Sequence, residues 1–334
     1  MARGDRIGER EGPTGRWLDG TVDGVAMRIG IDLGGTKIEA IAIDPEGREL
    51  GRRRVPSPAR DYDAIVEAIA GLVSGLEGEL NAHGTVGVGI PGVTSPATGL
   101  VKNANTTVLI GRPFDRDLAK RLDRPVRLAN DANCFVMSEA ADGAAAGART
   151  VFGVILGTGV GGGLVIDRQI IVGANAIAGE WGHNPLPWPQ DAERPGARCY
   201  CGKDGCIETF LSGRGLAADF ATATGRPAGA PEIVAAAEAG DGPAIAALER
   251  YEDRLARALA TVINVVDPDA IVLGGGLSNV ARLYEMVPRR WGRYAFSDAV
   301  VTRLVPARHG DSSGVRGAAW LWPAQGSLSS SRSS

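Results

Sequence analysis

The chain of 334 residues has few cysteines and no excess of basic charge. Its four cysteines are too few for a disulfide scaffold, and three of them fall within eight positions, which favours a metal site over bridges. The formal net charge of -3 gives no general attraction for polyanions. These features exclude a disulfide-rich secreted domain and predict no nucleic-acid partner.

The sequence also lacks a long hydrophobic run. The longest weakly polar stretch, residues 151–166, is broken by six glycines and one threonine, and it is shorter than the roughly 18 to 20 apolar residues that a membrane helix needs. Residues 1–26 carry nine charged side chains and no apolar segment, so they form neither a signal peptide nor an anchor. We therefore expect a cytoplasmic protein that binds no membrane.

What remains is an ordinary globular composition, with 44% hydrophobic and 22% charged residues, over a length that suits about two domains. Residues 1–26 have no strand or helix periodicity, and residues 324–334 are rich in serine. The sequence therefore predicts a flexible N-terminal arm, a folded body from about Met27 to Trp322, and a disordered tail.

Two similar hairpins occur in the two halves of the body. Alternating residues predict an antiparallel meander over 27–55, with a turn at Gly34-Gly35, and a second hairpin over 151–167. At an offset of 123 residues, Gly34 aligns with Gly157 and Asp44 with Asp167. Helices are predicted at 61–80, 132–143 and 244–266, after Gly276 to about Arg290, and from Ser313. The repeat indicates two lobes of similar fold.

Glycine-rich turns follow three of the predicted strands. At the first, Gly34 and Gly35 would let backbone N–H groups approach an anion, Thr36 offers a hydroxyl, and Asp32 could hold a hydrated Mg²⁺. A plain tight hairpin is the alternative, and the spacing of a Walker loop is missing.

The second glycine turn, Gly157-Thr158-Gly159-Val160-Gly161-Gly162, satisfies G-x-G-x-x-G, but a strand follows it where a dinucleotide fold needs a helix. The third turn is Gly274 to Gly276, which could equally be an ordinary turn. Together the three turns favour a nucleotide bound across two lobes.

The strongest metal pattern is Cys199-Tyr200-Cys201-Gly202-Lys203-Asp204-Gly205-Cys206, which has the spacing C-x-C-x₄-C. His183 upstream can complete a Cys₃His set, and four protein ligands are typical of a structural zinc rather than a catalytic one. Free thiols in a reducing compartment are the alternative.

Polar residues flank these motifs. Asn130-Asp131 stands where a strand gives way to a helix, so Asp131 could be an N-cap, yet a carboxylate at such a strand end can also accept a proton from a hydroxyl nucleophile. Glu180, His183 and Glu208 bracket the cysteines, and two acids with an imidazole suit hydrogen bonding to a polyol. Solvated surface acids are the alternative.

These stretches together resemble the ROK family of sugar kinases and repressors, within the actin/hexokinase superfamily. The resemblance spans about Met27 to Pro323 and is carried by IGIDLGGTKIEA, GVGIPG, RLANDANC, GTGVGGG, AGEWGHNPLPW, CYCGKDGCIE and IVLGGGLSN. VKNANTT, GEWGHNPLPW, CGKDGCIETF and HGDSSGVRGAAWLWP are similar to the bacterial fructokinases of this family in particular.

The resemblance implies an α/β protein with a two-lobed actin/hexokinase-like (ribonuclease H-like) fold, mixed sheets and a zinc-binding loop. Residues 27–135 would form a small lobe that is joined by a C-terminal helix at about 311–323. Residues 136–310 would form a large lobe that carries the zinc loop, 183–206.

The resemblance also assigns roles to residues. Asp131 would be the general base. The sugar would be bound by Asn105, Asn130, Asp131, Glu180, His183 and Glu208. The nucleotide and its Mg²⁺ would be bound by Asp32, Gly34, Gly35, Thr36, Lys37, Gly157, Thr158, Gly159, Gly275 and Gly276. Zinc would be held by His183, Cys199, Cys201 and Cys206, with the second ring nitrogen of His183 directed at the sugar.

We therefore predict an ATP-dependent hexose kinase that phosphorylates the 6-hydroxyl of fructose, and that also accepts mannose, as a homodimer. A glucokinase or an N-acetylhexosamine kinase of the same family is the alternative. A sugar-responsive repressor is disfavoured, because 26 polar residues cannot build a helix-turn-helix. A nicotinamide dehydrogenase is disfavoured by the strand after the second glycine turn.

Overall fold

The computed structural model describes residues 21–22 and 25–322. Most of the predicted arm and all of the predicted tail lie outside these residues, so both stay predictions. The end of the arm differs from the prediction: Thr21–Val22 (β1) pairs antiparallel with the start of Val25–Leu33 (β2). The first sheet therefore begins before Met27.

The first half of the chain builds one sheet with two flanking helices. The elements after β2 are β3 (Lys37–Ile43), β4 (Glu49–Pro56), α1 (Tyr62–Leu80), β5 (Gly84–Ile90), β6 (Val93–Thr94), β7 (Val101–Lys102), α2 (Phe114–Leu122), β8 (Val126–Asn130) and α3 (Asp131–Ala141). The strand order is β4-β3-β2-β5-β8. β2, β3 and β4 form the predicted antiparallel meander, whereas β5 and β8 run parallel to β2.

The second half builds a second mixed sheet and most of the helices. Its elements are β9 (Thr150–Leu156), β10 (Val160–Ile166), β11 (Gln169–Ile170), α4 (Ile207–Leu211), α5 (Gly213–Thr224), α6 (Ala230–Glu238), α7 (Gly242–Val266), β12 (Ala270–Gly274), α8 (Leu283–Met286), α9 (Pro288–Trp291), β13 (Arg303–Pro306) and α10 (Ser313–Ala319). The strand order is β11-β10-β9-β12-β13, with β12 parallel to β9 and β13. Within the described ranges, no helix is long and apolar enough to cross a membrane.

The predicted internal repeat is confirmed by the hairpins. β2 ends at Leu33 and β3 begins at Lys37, while β9 ends at Leu156 and β10 begins at Val160. The two turns therefore have the same length and the same place in their sheets. In each sheet, a later strand then pairs in parallel with the first strand of the hairpin, on the side away from the second strand.

Two predicted helices are wrong in extent. The segment after Gly276 forms a 3-10 turn over Gly276–Asn279 and then α8 and α9, rather than one helix to Arg290. Pro288 begins α9 and cannot donate the backbone hydrogen bond that a continuous helix would need. The last helix ends at Ala319, earlier than the predicted residue 323.

α3 and α10 cross between the two sheets. Their buried residues pack with side chains from β3, β9, β10 and β12 in one apolar cluster. The predicted lobe boundary at 135 and 136 falls within α3. At the crossing, a Cβ on Gly317 would lie 1.7 Å from the backbone oxygen of Cys134, so the two helices touch backbone to backbone.

We expect Gly317→Ala to be strongly destabilising. The added methyl must push α10 away from α3, which costs on the order of 3 kcal/mol or more and lowers the melting temperature by roughly 6 to 12 °C. Gly71→Ala is the matched control, because Gly71 lies inside α1 with no atom within 4 Å of a built Cβ. That variant should be as stable as wild type or slightly more stable. Equal melting temperatures for the two variants would contradict the close crossing.

Candidate active site

The first set of predicted site residues lies where β8 passes into α3. Asn130, the last residue of β8, accepts a hydrogen bond from Ala132 N–H at 2.9 Å and is the N-cap of α3. The capping role considered for Asp131 therefore belongs mainly to its neighbour. The Asp131 carboxylate also accepts from Ala132 N–H, at 2.8 Å, and the residue is exposed.

Two carboxylates meet at this edge of the sheet. Asp32 near the end of β2 and Asp131 directly after β8 lie at the same edge of the sheet, because β2 and β8 are both parallel to β5. Burial, then the charge of Asp131 and that of Glu39, raises the pKa of Asp32 to about 6. Although Asp131 reaches solvent, the surrounding protein displaces enough water to raise the pKa of its carboxyl too, against hydrogen bonds from Ala132 and Asn130.

Because its pKa is raised, Asp32 lowers the free energy of unfolding at neutral pH. The folded state disfavours the ionised form, so stability is highest when Asp32 is protonated and falls as the pH rises from about 4 through about 6. We expect Asp32→Asn to be more stable than wild type at pH 7.5 by roughly 1 to 3 kcal/mol. Thermal unfolding measured from pH 4 to 8 should show the gain shrinking toward pH 4.

The control for that experiment is Asp63→Asn, which makes the same change at an exposed position in the first turn of α1. Its melting temperature should follow wild type across the range. A gain for Asp32→Asn that did not depend on pH would contradict the assigned cause.

Asn105 lies beside the same edge. It is exposed, and its backbone N–H donates to Pro91 O at 3.0 Å. Pro91 directly follows Ile90, which pairs with Asn130 in the sheet. The loop that carries Asn105 is therefore adjacent to Asp131, as a sugar-binding role requires.

The predicted nucleotide turns lie at the carboxyl ends of β2, β9 and β12. Gly34 N–H donates to Lys37 O and Gly157 N–H donates to Gly159 O, each at 3.0 Å, so these two amides close the turns themselves. Exposed positions in the turns are Gly35, Thr36, Thr158, Gly275 and Gly276. Gly275 has a φ of 81°, and its backbone packs against Leu156 O at the end of β9. The second and third glycine turns are therefore adjacent.

Lys37 differs from the prediction in its contacts. Its Nζ lies 3.2 Å from a carboxylate oxygen of Glu39, on the strand rather than in the turn. A role in phosphate binding therefore requires this ion pair to open, and it stays a prediction.

The glycines of β10 bring the first sheet and the metal loop together. A Cβ on Gly163 would lie 2.9 Å from Ala132 O at the start of α3, and one on Gly162 would lie 2.8 Å from the Trp181 ring. Trp181 Nε1–H also donates to Gly161 O at 3.0 Å. These glycines thus serve close packing on both faces of a strand, and they include Gly162, the last glycine of the G-x-G-x-x-G pattern.

The four predicted metal ligands come together. One donor atom from each of His183, Cys199, Cys201 and Cys206 lies within 4.8 Å of the others. Cys201 Sγ and Cys206 Sγ are 3.6 Å apart, and so are Cys199 Sγ and His183 Nδ1. A tetrahedral zinc would separate two sulfurs by about 3.8 Å and a sulfur and a nitrogen by about 3.6 Å. The donor set and its spacing therefore fit zinc.

The other nitrogen of His183 departs from the prediction. Nε2, which the family resemblance directs at a sugar, lies 2.9 Å from the Tyr200 hydroxyl. Sequence reasoning did not select Tyr200, although its position between two cysteines places it on the metal loop.

Glu208 and Glu180 flank the cluster differently. Glu208 is buried, and one carboxylate oxygen accepts from Val160 N–H, within the second glycine turn, at 2.9 Å. Glu180 is exposed and immediately precedes the 3-10 helix Trp181–His183. Glu208 therefore ties the metal loop to the nucleotide side, whereas Glu180 has a carboxylate open to a ligand.

A buried ion network supports the loop from behind. Burial disfavours the charge of Glu193, but hydrogen bonds from Arg257 and Arg254 outweigh it and lower the pKa of Glu193 to about 2. Arg257 also donates to Trp188 O at 2.8 Å. The chain between His183 and Cys199 is thereby fixed to α7, a role that sequence reasoning missed.

Comparison with known proteins gives the family. The model of the ROK family matches residues 28–325, which is most of the chain. The chain belongs to the ROK family. It is 44% identical over 300 residues to an N-acetyl-D-glucosamine kinase of Escherichia coli O1:K1, covering 88% of this chain and 99% of that protein.

Solved ROK structures share the fold. A ROK hexokinase from Thermus thermophilus has a TM-score of 0.79 and 32% identity, covering 88% of this chain and 97% of the other. A ROK family glucokinase from Streptomyces griseus, in complex with glucose and AMPPNP, has a TM-score of 0.68 and 29% identity, covering 88% of this chain and 98% of the other. The predicted ROK resemblance and the actin/hexokinase-like α/β fold with mixed sheets are confirmed.

Proposed function

We propose that this ROK protein is an ATP-dependent kinase that phosphorylates the 6-hydroxyl of a hexose. The observation that carries the proposal is the position of Asp131, an exposed carboxylate of raised pKa at the carboxyl end of a parallel strand. It lies beside the Asn105 loop. The next residue, Ala132, packs against β10, the strand that follows the second glycine turn. The nucleotide analogue in the glucokinase complex supports ATP as the phosphate donor.

In this reaction Asp131 accepts the proton of the sugar hydroxyl as the hydroxyl oxygen attacks the γ-phosphorus and the bond to ADP breaks. General-base help of this kind contributes about 10² to 10⁴-fold, so positioning by the two lobes supplies most of the acceleration. Backbone N–H groups of the exposed glycine turns would stabilise charge on the transferred phosphoryl group. Mg²⁺, which Asp32 would help to hold, neutralises phosphate charge when bound.

The relatives and the sequence motifs favour different sugars. The 44% identity to an N-acetyl-D-glucosamine kinase supports N-acetylglucosamine as the first substrate to test. The four fructokinase-like stretches, which include the metal loop, support fructose as the second.

The test is a panel of fructose, mannose, glucose, N-acetylglucosamine and N-acetylmannosamine with ATP and Mg²⁺, followed by ADP release and by mass spectrometry of the product. We expect one sugar to exceed the others in kcat/KM by at least about tenfold and to carry phosphate on its 6-hydroxyl. ADP release that is the same with and without each sugar would overturn the kinase proposal.

We further propose a structural zinc at His183, Cys199, Cys201 and Cys206, and a cytoplasmic homodimer. The spacing of the four donor atoms supports the zinc. The dimer and the compartment rest on resemblance to the family, and light scattering of the purified protein measures the dimer directly.

A further inference from the structure

Tyr200 has an unusual place for an aromatic residue. It stands between the metal ligands Cys199 and Cys201, and its side chain is 79% exposed. Its ring meets that of His183 edge to face, with centroids 5.0 Å apart and an angle of 88° between the planes. Together with the 2.9 Å contact between its hydroxyl and Nε2, this geometry fixes the ring rather than leaving it free.

The His183 contacts define the direction of this hydrogen bond. Nδ1 lies 3.6 Å from Cys199 Sγ, on the side of the cluster, so it carries no proton when it binds a metal, and Nε2 then bears the ring proton. With a metal on Nδ1, Nε2–H would donate to the Tyr200 oxygen. The hydroxyl proton of Tyr200 is left to donate outward, and Nε2 has no further capacity to bond a sugar.

Two carboxylates flank the metal loop that carries Tyr200. Glu180, with its exposed carboxylate, immediately precedes the short helix that ends with His183, and Glu208 is the second residue of α4, two positions after Cys206. Carboxylates accept hydrogen bonds from sugar hydroxyls. An aromatic ring adds an apolar surface with a polar tip. An exposed tyrosine that is held in one orientation can therefore both bond a sugar and limit its size.

We propose that Tyr200 is a specificity-determining residue of the sugar site: its hydroxyl, oriented by His183, bonds the sugar in place of His183 Nε2, and its ring limits the space for bulky substituents. This inference rests on the proposed function, because it places a hexose beside the metal loop. It assigns to Tyr200 the contact that the family resemblance implies for His183.

Two substitutions separate the hydroxyl from the ring. Tyr200→Phe removes the bond to the sugar but keeps the bulk, so we expect affinity for each bound hexose to fall about tenfold with the ranking of sugars unchanged. Tyr200→Ala also removes the bulk, so we expect the affinity ratio to shift by at least about tenfold toward N-acetylglucosamine and away from fructose, whichever sugar wild type prefers. Phe296→Ala, at a fully exposed aromatic residue after α9, is the control.

The measurement is calorimetric titration of each sugar into zinc-loaded protein without ATP, with zinc content and nucleotide affinity determined in parallel. Both Tyr200 variants should keep one zinc per chain and unchanged ATP affinity. An unchanged sugar ratio in Tyr200→Ala, or loss of zinc in either variant, would overturn the inference.

The same titrations separate this inference from the kinase proposal. If wild type binds a hexose but transfers no phosphate to it, the kinase proposal fails while the Tyr200 variants still test the sugar contact. If wild type binds none of the sugars, both proposals are overturned.

Discussion

Asp131→Asn is expected to lower kcat by at least about 10²-fold while the protein stays folded. The asparagine keeps the shape of the side chain but cannot accept the proton of the attacking hydroxyl. The main competing explanation is a capping role, but Asn130 is the N-cap of α3, and an asparagine at 131 can still accept the Ala132 N–H that Asp131 shares with it. Steady-state kinetics with the preferred sugar, together with the melting temperature, measures the two effects separately.

Asp63→Asn is the matched control for this experiment, since it neutralises an aspartate in the first turn of α1. Its kcat should equal that of wild type. Turnover near wild type in Asp131→Asn would remove Asp131 from the role of base. A lower melting temperature with unchanged activity per folded molecule would instead make it a structural residue.

Loss of the metal is expected to damage sugar binding far more than nucleotide binding. Wild type should contain close to one zinc per chain, because three thiolates and an imidazole favour zinc over magnesium or calcium. Cys201→Ser removes one of the four ligands. We expect most of the zinc to be lost on dialysis and the sugar KM to rise tenfold or more, with ATP affinity changed by less than about threefold.

The physical reason is where each group is held. Glu180, His183 and Tyr200 depend on the metal loop for their positions, whereas the glycine turns are ends of sheet strands. The far end of α4 is also fixed without the metal, since Tyr251 Oη–H donates to Leu211 O at 2.8 Å and Gly213 N–H donates to Gly157 O at 2.8 Å. The nucleotide side should therefore survive loss of zinc.

Cys134→Ser is the control for metal content, because Cys134 is a buried thiol on α3, outside the cluster. It should retain zinc in full. A metal-free protein with full activity would refute the coupling, and so would a Cys201 variant whose defect lay in ATP binding alone.

The parts of the fold that follow from short-range pattern could be predicted from the sequence. The two hairpins, their repeat and α1 depend on alternation and helical spacing within about 20 residues. The metal set could be predicted because three of its ligands lie within eight positions. The interruption after Gly276 was also readable, since Pro288 stands inside the predicted helix.

The rest depends on contacts between distant residues. Glu193 meets Arg254 and Arg257 across 61 and 64 positions, and Glu139 accepts from His309 N–H across 170. Periodicity carries no information on such pairs. The choice between Asn130 and Asp131 as cap depends on where the strand leaves the sheet, and two adjacent polar residues leave it open.

The place of α10 has a consequence for how the protein is made. A Cβ on Gly30, in the middle of β2, would lie 2.0 Å from Val315 O, so the backbone of β2 is covered by α10, which follows it by at least 280 positions. The ribosome delivers residues 25–130 long before residues 313–319. The face of the first sheet that α10 covers is therefore exposed until residues 313–319 have been synthesised. A chain that stopped just before Ser313 would keep the strands of that sheet but leave this face uncovered.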